Sequence, residues 1–358
     1  MNGVVMDNQD VADVKTRLLC SGVRLPENLR TGRKGGAGPA GGRYIVVKNT
    51  VVNAPVYKAA LQSPFSVEIK GESYTMKYQN DSYRIILIGD PHFYQMKTKE
   101  GVVYKKIALL HGIDCLATTV YQKCIRWRKN PCSFCGIELS LDYDATIEKK
   151  TPEQLVEVAE AARKEGALHV ILTTGTVTET DKGAFVLAAC ASALSRLKLP
   201  VHVQLEPAER EYIELLKDSG ADTVGIHIET LDENVFSRVC PGKNFSLFKN
   251  AWQDALDIFG ENQVSSYVLV GLKENPEKTF AGIERMVRTG VIPYIVPFRP
   301  ISGTLLENHP PPSFDTVKAY SLFAAQKMKE YGVNPFKNRA GCVRCGACSP
   351  VKEYLRTL

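Results

Sequence analysis

Cys124-Ile-Arg-Trp-Arg-Lys-Asn-Pro-Cys132-Ser-Phe-Cys135-Gly136 follows the first apolar run of a long strand–helix series, and its place there decides how the chain is read. Three thiolates on one short stretch hold three irons of a [4Fe–4S] cube and leave the fourth iron open to a substrate or cofactor. A second run, Cys342-Val-Arg-Cys345-Gly-Ala-Cys348, repeats the pattern near the C-terminus. Six of the ten cysteines lie in these two runs, which points to an iron–sulfur protein. Zinc competes for the first run, with Cys115 as a fourth ligand, but structural zinc favours two close cysteine pairs. Only one close pair, Cys132 and Cys135, is present there.

Outward from the first run, the hydrophobic pattern alternates between strand and helix. Ile107-Ala-Leu-Leu reads as a strand continuing toward Cys115. Thr151 caps a helix, with Pro152 at its first position and Gln154 completing a capping box. Strands are predicted over 169–174, 200–206, 223–229, 264–271 and 292–298. Helices are predicted over 183–197, after Glu206 to Gly220, in two stretches up to Phe259, over 276–290 and over 314–331. About six βα units at this spacing predict an α/β fold, a partial (β/α)6 barrel. Functional residues of such barrels sit at the C-terminal ends of the strands and in the loops that follow. The first cysteine run falls in the first of those loops. Short β-type runs at Tyr44–Lys48, Phe65–Ile69 and Tyr83–Ile88 predict a small N-terminal α+β domain. The expected organisation is an accessory domain over 1–104, the barrel over 105–312, and a helix with a Cys-rich extension over 313–358.

Composition narrows the class. The apolar fraction is 44% and the formal charge is +6, which suits a small anionic ligand without demanding nucleic acid. No apolar run approaches the roughly 18 residues of a membrane span. The first ten residues are acidic and lack an apolar core, so no signal peptide is expected. A cytoplasmic, reducing setting follows, in which cysteines serve as metal ligands or buried thiols rather than disulfides.

A cysteine run in the first βα loop of a partial barrel, with Phe134 just before the last cysteine, resembles the radical S-adenosylmethionine (SAM) superfamily over about residues 105–300. The resemblance implies a [4Fe–4S] cluster on Cys124, Cys132 and Cys135 that binds SAM at its open iron, generates a 5′-deoxyadenosyl radical, and abstracts hydrogen from a substrate. The family's usual spacing has three residues between the first two cysteines and two between the last pair; here the first gap is seven, and Cys115 is a rival first ligand. The segment expected to meet the SAM amino group is Thr174-Gly175-Thr176, without the family's glutamate. The strand-four end matches Ile226-His227-Ile228-Glu229, and the adenine motif matches Tyr267 to Glu274, keeping Gly271 and Glu274. Stretches at 35–39, 296–300 and 341–349 look like one poorly characterised radical SAM family found beside nitrilase genes. The resemblance also implies a small-molecule substrate and an electron donor such as flavodoxin or ferredoxin.

The remaining candidates carry two readings each. Cys342, Cys345 and Cys348 resemble half of a bacterial ferredoxin run and predict an auxiliary cluster. Its fourth ligand is Cys20, Cys115, Cys190, Cys240 or none. An open iron would serve substrate or sulfur donation, and a closed one electron relay. Glu206 and Glu229 end apolar strands and suit ribose or ammonium contacts, or a salt bridge to a loop cation. Arg299, just past the last strand, suits a carboxylate of SAM or substrate. His227 fits a buried or a ligand-binding role. Arg33, Lys34 and Arg43 in the Gly-rich stretch 31–43 fit an anion nest or a flexible lid. A non-catalytic iron–sulfur electron carrier is the reading from another class.

Overall fold

The computed structural model describes residues 7–29, 42–56, 58–71 and 73–358. Most of the Gly-rich stretch, including Arg33 and Lys34, lies outside them. Strands β1 Gly42–Val47, β2 Thr50–Pro55, β3 Phe65–Lys70, β4 Ser73–Tyr78 and β5 Asp81–Leu87 form an antiparallel sheet in the order β2-β1-β5-β4-β3. β1, β3 and β5 are the predicted strands; β2 and β4 are additional. Alternation along β5 turns Tyr83, Ile85 and Leu87 inward and Arg84 and Ile86 outward. The inward face is covered by a helix over Asn8–Ser21, held at its start by a capping box between Asp7 and Asp10. Val11, Val14, Leu18 and Leu19 of that helix pack on Ile45, Val47, Phe65, Met76 and Ile85.

The second sheet has seven strands in sequential order: β6 Leu109–His111, β7 Cys115–Thr119, β8 His169–Thr173, β9 Val201–Leu205, β10 Thr223–Ile226, β11 Val264–Val270 and β12 Ile292–Pro297. β7 to β12 are parallel, as the strand–helix rhythm predicts. The sheet does not close on itself, since β12 and β6 are its two edges, so it is a curled half-barrel. One prediction is corrected. The run from Ile107 does not continue through to Cys115. Gly112 adopts φ +64°, the chain reverses, and β6 pairs antiparallel with β7 through Leu109↔Ala117. The helix at Pro152–Lys164 starts as predicted, with the Thr151–Gln154 capping box formed. Leu116, Val170, Leu172, Val203 and Ile226 face the helices and join one large core. Cys115, Ala117 and Ile171 face the other way, into the half-barrel. Among the described residues no helix is long and apolar enough to cross a membrane.

After the helix at Phe314–Glu330, the chain runs across the N-terminal ends of the strands and closes the base of the half-barrel. Gly341 N donates to His169 Nδ1 at 3.1 Å, and Thr223 Oγ1 donates to the Ala340 carbonyl at 3.2 Å. Asn53 N donates to the Ala347 carbonyl at 2.8 Å, which ties β2 to this segment. Lys15 reaches in from the first helix, donating to the Gly346 carbonyl at 2.7 Å and pairing with Glu353 at 2.9 Å, with about 1% of its side chain exposed. Lys15→Met leaves the Gly346 carbonyl unpaired and the buried Glu353 carboxylate with only Arg356, at 3.6 Å. It is expected to cost about 3–5 kcal/mol, the typical penalty for breaking a buried pair. A lower midpoint in urea unfolding, at unchanged slope, checks this.

Candidate functional site

The first cysteine run occupies the loop after β7, at the C-terminal ends of the strands. The loop is held by its own backbone: Gly175 N donates to the Tyr121 carbonyl, Ile125 N to the Thr176 carbonyl, and Ser133 N to the Val239 carbonyl. Arg126, inside the run, donates to both Glu206 oxygens at 2.8 Å and to both Glu179 oxygens at 3.0–3.1 Å. Glu206 also accepts from Thr176 Oγ1 at 2.7 Å. Burial raises the Glu206 pKa, but the Arg126 bonds, the nearby Lys243 charge and the Thr176 bond outweigh it and hold the carboxyl below its ordinary range. Glu206, Gly175 and Thr176 therefore brace the loop from behind. A Cβ at Gly175 would lie 2.0 Å from the Lys123 carbonyl oxygen, so this position accepts no side chain without moving the loop. If the loop carries the reactive centre, Gly175→Ala is expected to lower its activity about 10²-fold, the usual cost of ångström-scale misplacement. Turnover assayed beside the thermal midpoint separates this effect from unfolding.

Cys124, Cys132 and Cys135 are all half-buried residues on this loop. Burial, followed by the neighbouring Cys132 and Cys124, pushes the Cys135 thiol up to about 12. Cys132 moves down instead, because Cys240 donates to it and Lys243 lies close. Cys240 holds its proton and is pushed well up. Lys243 pairs with Glu229 at 3.3 Å. Burial favours its neutral form, but Glu229, Cys132, Cys240 and Glu206 together keep it protonated well above the ordinary range. Burial raises Glu229 in spite of Lys243. Glu229 takes φ +69°, a left-handed conformation unusual for a side chain of this size. Its N–H to Tyr267 O and its carbonyl from Leu269 N fix that conformation. Sequence reading did not assign Lys243, and it weighed Cys240 only as a ligand of the second run; Cys240-Pro-Gly-Lys243 lies between two helices with no motif to mark it.

The second run lies at the opposite end of the half-barrel. Cys342 accepts hydrogen bonds from Tyr267 Oη and, at 3.7 Å, from Gln204 Nε2; Cys348 accepts from Asn53 Nδ2 at 3.5 Å. Burial and mutual repulsion raise the Cys342 thiol, and both push Cys345 up to about 12. Lys15 acts on Cys345 and Cys348 in the opposite sense, as does Arg299 on Cys348. Cys115 is at this end, not beside Cys124. Among the described residues no three His, Cys, Asp or Glu side chains converge as ligands of a single ion. A cube puts each thiolate on a different iron, so it does not require the sulfurs to converge on one ion.

Between the two runs lies one cavity of about 250 Å³. Phe134, Cys135 and Glu229 line one end, and Cys342, Cys345 and Cys348 the other. Its walls include Gln204, His227, Tyr267, Tyr294 and Arg299. His227 stacks on Tyr267 with ring centres 3.9 Å apart, its Nδ1 accepts from Tyr267 N at 3.2 Å, and its Nε2 is buried without a partner. Burial pushes its pKa well down, so the ring is neutral. Arg299 is 7% exposed. Its Nη2 donates to the Asn53 carbonyl, while Nε and Nη1 are buried without partners. Gly271, at φ +105°, donates to Glu274 and shapes the turn after β11; it does not line the cavity. Thr174 likewise lies outside it.

A model of the Radical SAM superfamily matches residues 126–287, from inside the first cysteine run to the helix before β12. Bacteriochlorophyllide c C-7(1)-hydroxylase of Chlorobaculum limnaeum is 25% identical over 51% of this chain and 52% of its own length. An uncharacterized protein of Methanocaldococcus jannaschii is 26% identical, over 51% of this chain and 48% of its own. The chain thus spans about half the length of the curated relatives it matches. The crystal structure of methylornithine synthase superposes with a TM-score of 0.50 at 19% identity, covering 62% of this chain and 64% of that one, which is a likeness of fold. The half-barrel, the cysteine loop after its first parallel strand and the region that matches the Radical SAM superfamily model coincide in the chain.

Proposed function

We propose that this protein is a radical SAM enzyme. In this reading Cys124, Cys132 and Cys135 hold the [4Fe–4S] cluster that binds SAM, and Cys342, Cys345 and Cys348 hold an auxiliary iron–sulfur cluster. The observation that carries it is one cavity lined by Cys135 of the first run at one end and by Cys342, Cys345 and Cys348 at the other. When bound, the first cluster and SAM supply a 5′-deoxyadenosyl radical, which abstracts hydrogen from a small polar substrate. The chain's own groups do the rest. Lys243 offsets the negative charge of the first thiol set, and Arg126 and Gly175 fix the loop that carries it. Phe134 and the curled sheet wall part of the cavity, which limits water around a bound substrate. Arg299 offers two unpaired N–H groups to an anionic substituent of the substrate. An electron carrier needs no such cavity, which weighs against the non-catalytic alternative. The outcome after hydrogen abstraction is either sulfur insertion or an oxidation or rearrangement. An external donor such as flavodoxin or ferredoxin supplies the reducing electron.

The test is anaerobic reconstitution, iron and sulfide analysis, and then SAM with dithionite. About eight irons per chain and 5′-deoxyadenosine formation are expected. Zinc in place of iron, or iron without SAM cleavage across a panel of small carboxylates and phosphates, overturns the reading.

A further inference from the structure

Four cysteines remained as possible fourth ligands of the second set, and the structure separates them. Cys20 is near the end of the first helix, where its thiol donates to Ser313 O at 3.9 Å. Cys190 is in the helix at Ala184–Ser195, on the outer side of the sheet. Cys240 is a free thiol that hydrogen-bonds to Cys132 of the first run. Cys115 alone packs with Cys342 and Cys345, and those two are the largest electrostatic influences on its thiol.

The fold explains why. Cys115 is the first residue of β7 and shares its inward face with Ala117. In register it lies opposite His169, the first residue of β8, and His169 Nδ1 accepts from Gly341 N, one residue before Cys342. The β6–β7 turn also closes on the set. A Cβ at Gly112 would lie 2.7 Å from Cys345 Sγ, so the turn approaches the sulfur as only glycine permits. Cys342, Cys345 and Cys348 face the cavity, whereas Cys115 does not line it. The fourth thiol therefore comes from the wall behind the set.

We propose that Cys115 is the fourth thiolate of the second cluster. The set then has no open iron to offer a substrate, which favours electron transfer over substrate ligation as its role. The N–H and O–H donors on Cys342 and Cys348 fit that role, since hydrogen bonds to cluster sulfurs set reduction potential. The inference rests on reading the second run as an iron–sulfur site, and the test separates the two claims.

The second set is isolated in the full chain carrying Cys124→Ala, Cys132→Ala and Cys135→Ala, reconstituted anaerobically, and oxidised briefly with ferricyanide. About four irons, surviving oxidation as a cube, are expected, because four thiolates leave no labile corner. Adding Cys115→Ala is expected to give the [3Fe–4S] paramagnetic signal with loss of one iron in four, or loss of the cluster altogether. Cys115→Ser, which keeps a weaker oxygen ligand, is expected to retain the cube with a shifted midpoint potential. A [3Fe–4S] signal of equal size with and without Cys115 overturns the fourth-ligand claim. Absence of iron in the triple variant overturns the second cluster itself.

Discussion

Cys132→Ala is expected to take 5′-deoxyadenosine formation to background, a loss of at least about 10³-fold, while about four irons stay on the second set. The expectation does not rest on ligand count alone. Cys132 is the thiol whose surroundings favour the thiolate: Cys240 donates to it and Lys243 stands beside it. Removing the sulfur strands that proton and that cation in a buried pocket with Glu229. Cys240→Ala and Cys124→Ala complete the test. The matched family region begins two residues past Cys124, so the third ligand is the least constrained of the set. Background activity in Cys124→Ala with near-normal activity in Cys240→Ala assigns the ligand to Cys124; the reverse assigns it to Cys240. Full activity of Cys132→Ala with its iron in place would falsify the placement of the reducing cluster on this loop.

The parts of this architecture that were readable share a physical basis. β8 to β12 are short apolar runs bounded by helix caps and turn residues, and local pattern alone marks such elements. The Thr151–Gln154 box is a local hydrogen-bond pair, so sequence spacing reports it directly. The hairpin at Gly112 was missed because apolar residues lie on both sides of the short His111–Asp114 turn, and the reversal depends on the positive φ of one glycine within it. β4, Ser-Tyr-Thr-Met-Lys-Tyr, is mostly half-buried and carries too little apolar contrast to stand out.

The site divides in the same way. The two cysteine runs are contiguous and were visible. That they face each other across one cavity depends on Gly341, Thr223 and Asn53 hydrogen bonds between segments far apart in the chain. Glu206 shows the limit of strand-end reasoning. It sits at the predicted place, but Arg126, from the cysteine run itself, takes both of its oxygens. Lys243 and Cys240 belong to no pattern, and only folding brings them to Cys132.

Arg299→Ala is expected to lower substrate-stimulated turnover about 10²- to 10³-fold in kcat/KM, from the roughly 3–4 kcal/mol that a truncated buried charge pair costs. Dithionite-driven SAM cleavage without substrate should change little. The argument turns on which end of the cavity Arg299 serves. Its Nη2 donates to the carbonyl of Asn53, whose Nδ2 donates to Cys348, so it lies beside the second set. One Nη2–H is already committed to the Asn53 carbonyl, which holds the guanidinium plane in place. Nε and Nη1 are left buried and unpaired inside the cavity wall. Two fixed N–H groups on one planar cation match a carboxylate or a phosphate better than a neutral ligand. Arg299→Lys keeps the charge and loses the fixed planar donors, so it should recover only part of the lost turnover. Small carboxylates or phosphates that stimulate deoxyadenosine formation in the native protein should fail to do so in Arg299→Ala, with iron content unchanged. If unstimulated SAM cleavage falls by the same factor, Arg299 holds the carboxylate of SAM instead, and the anionic anchor of the substrate must be sought elsewhere on the cavity wall.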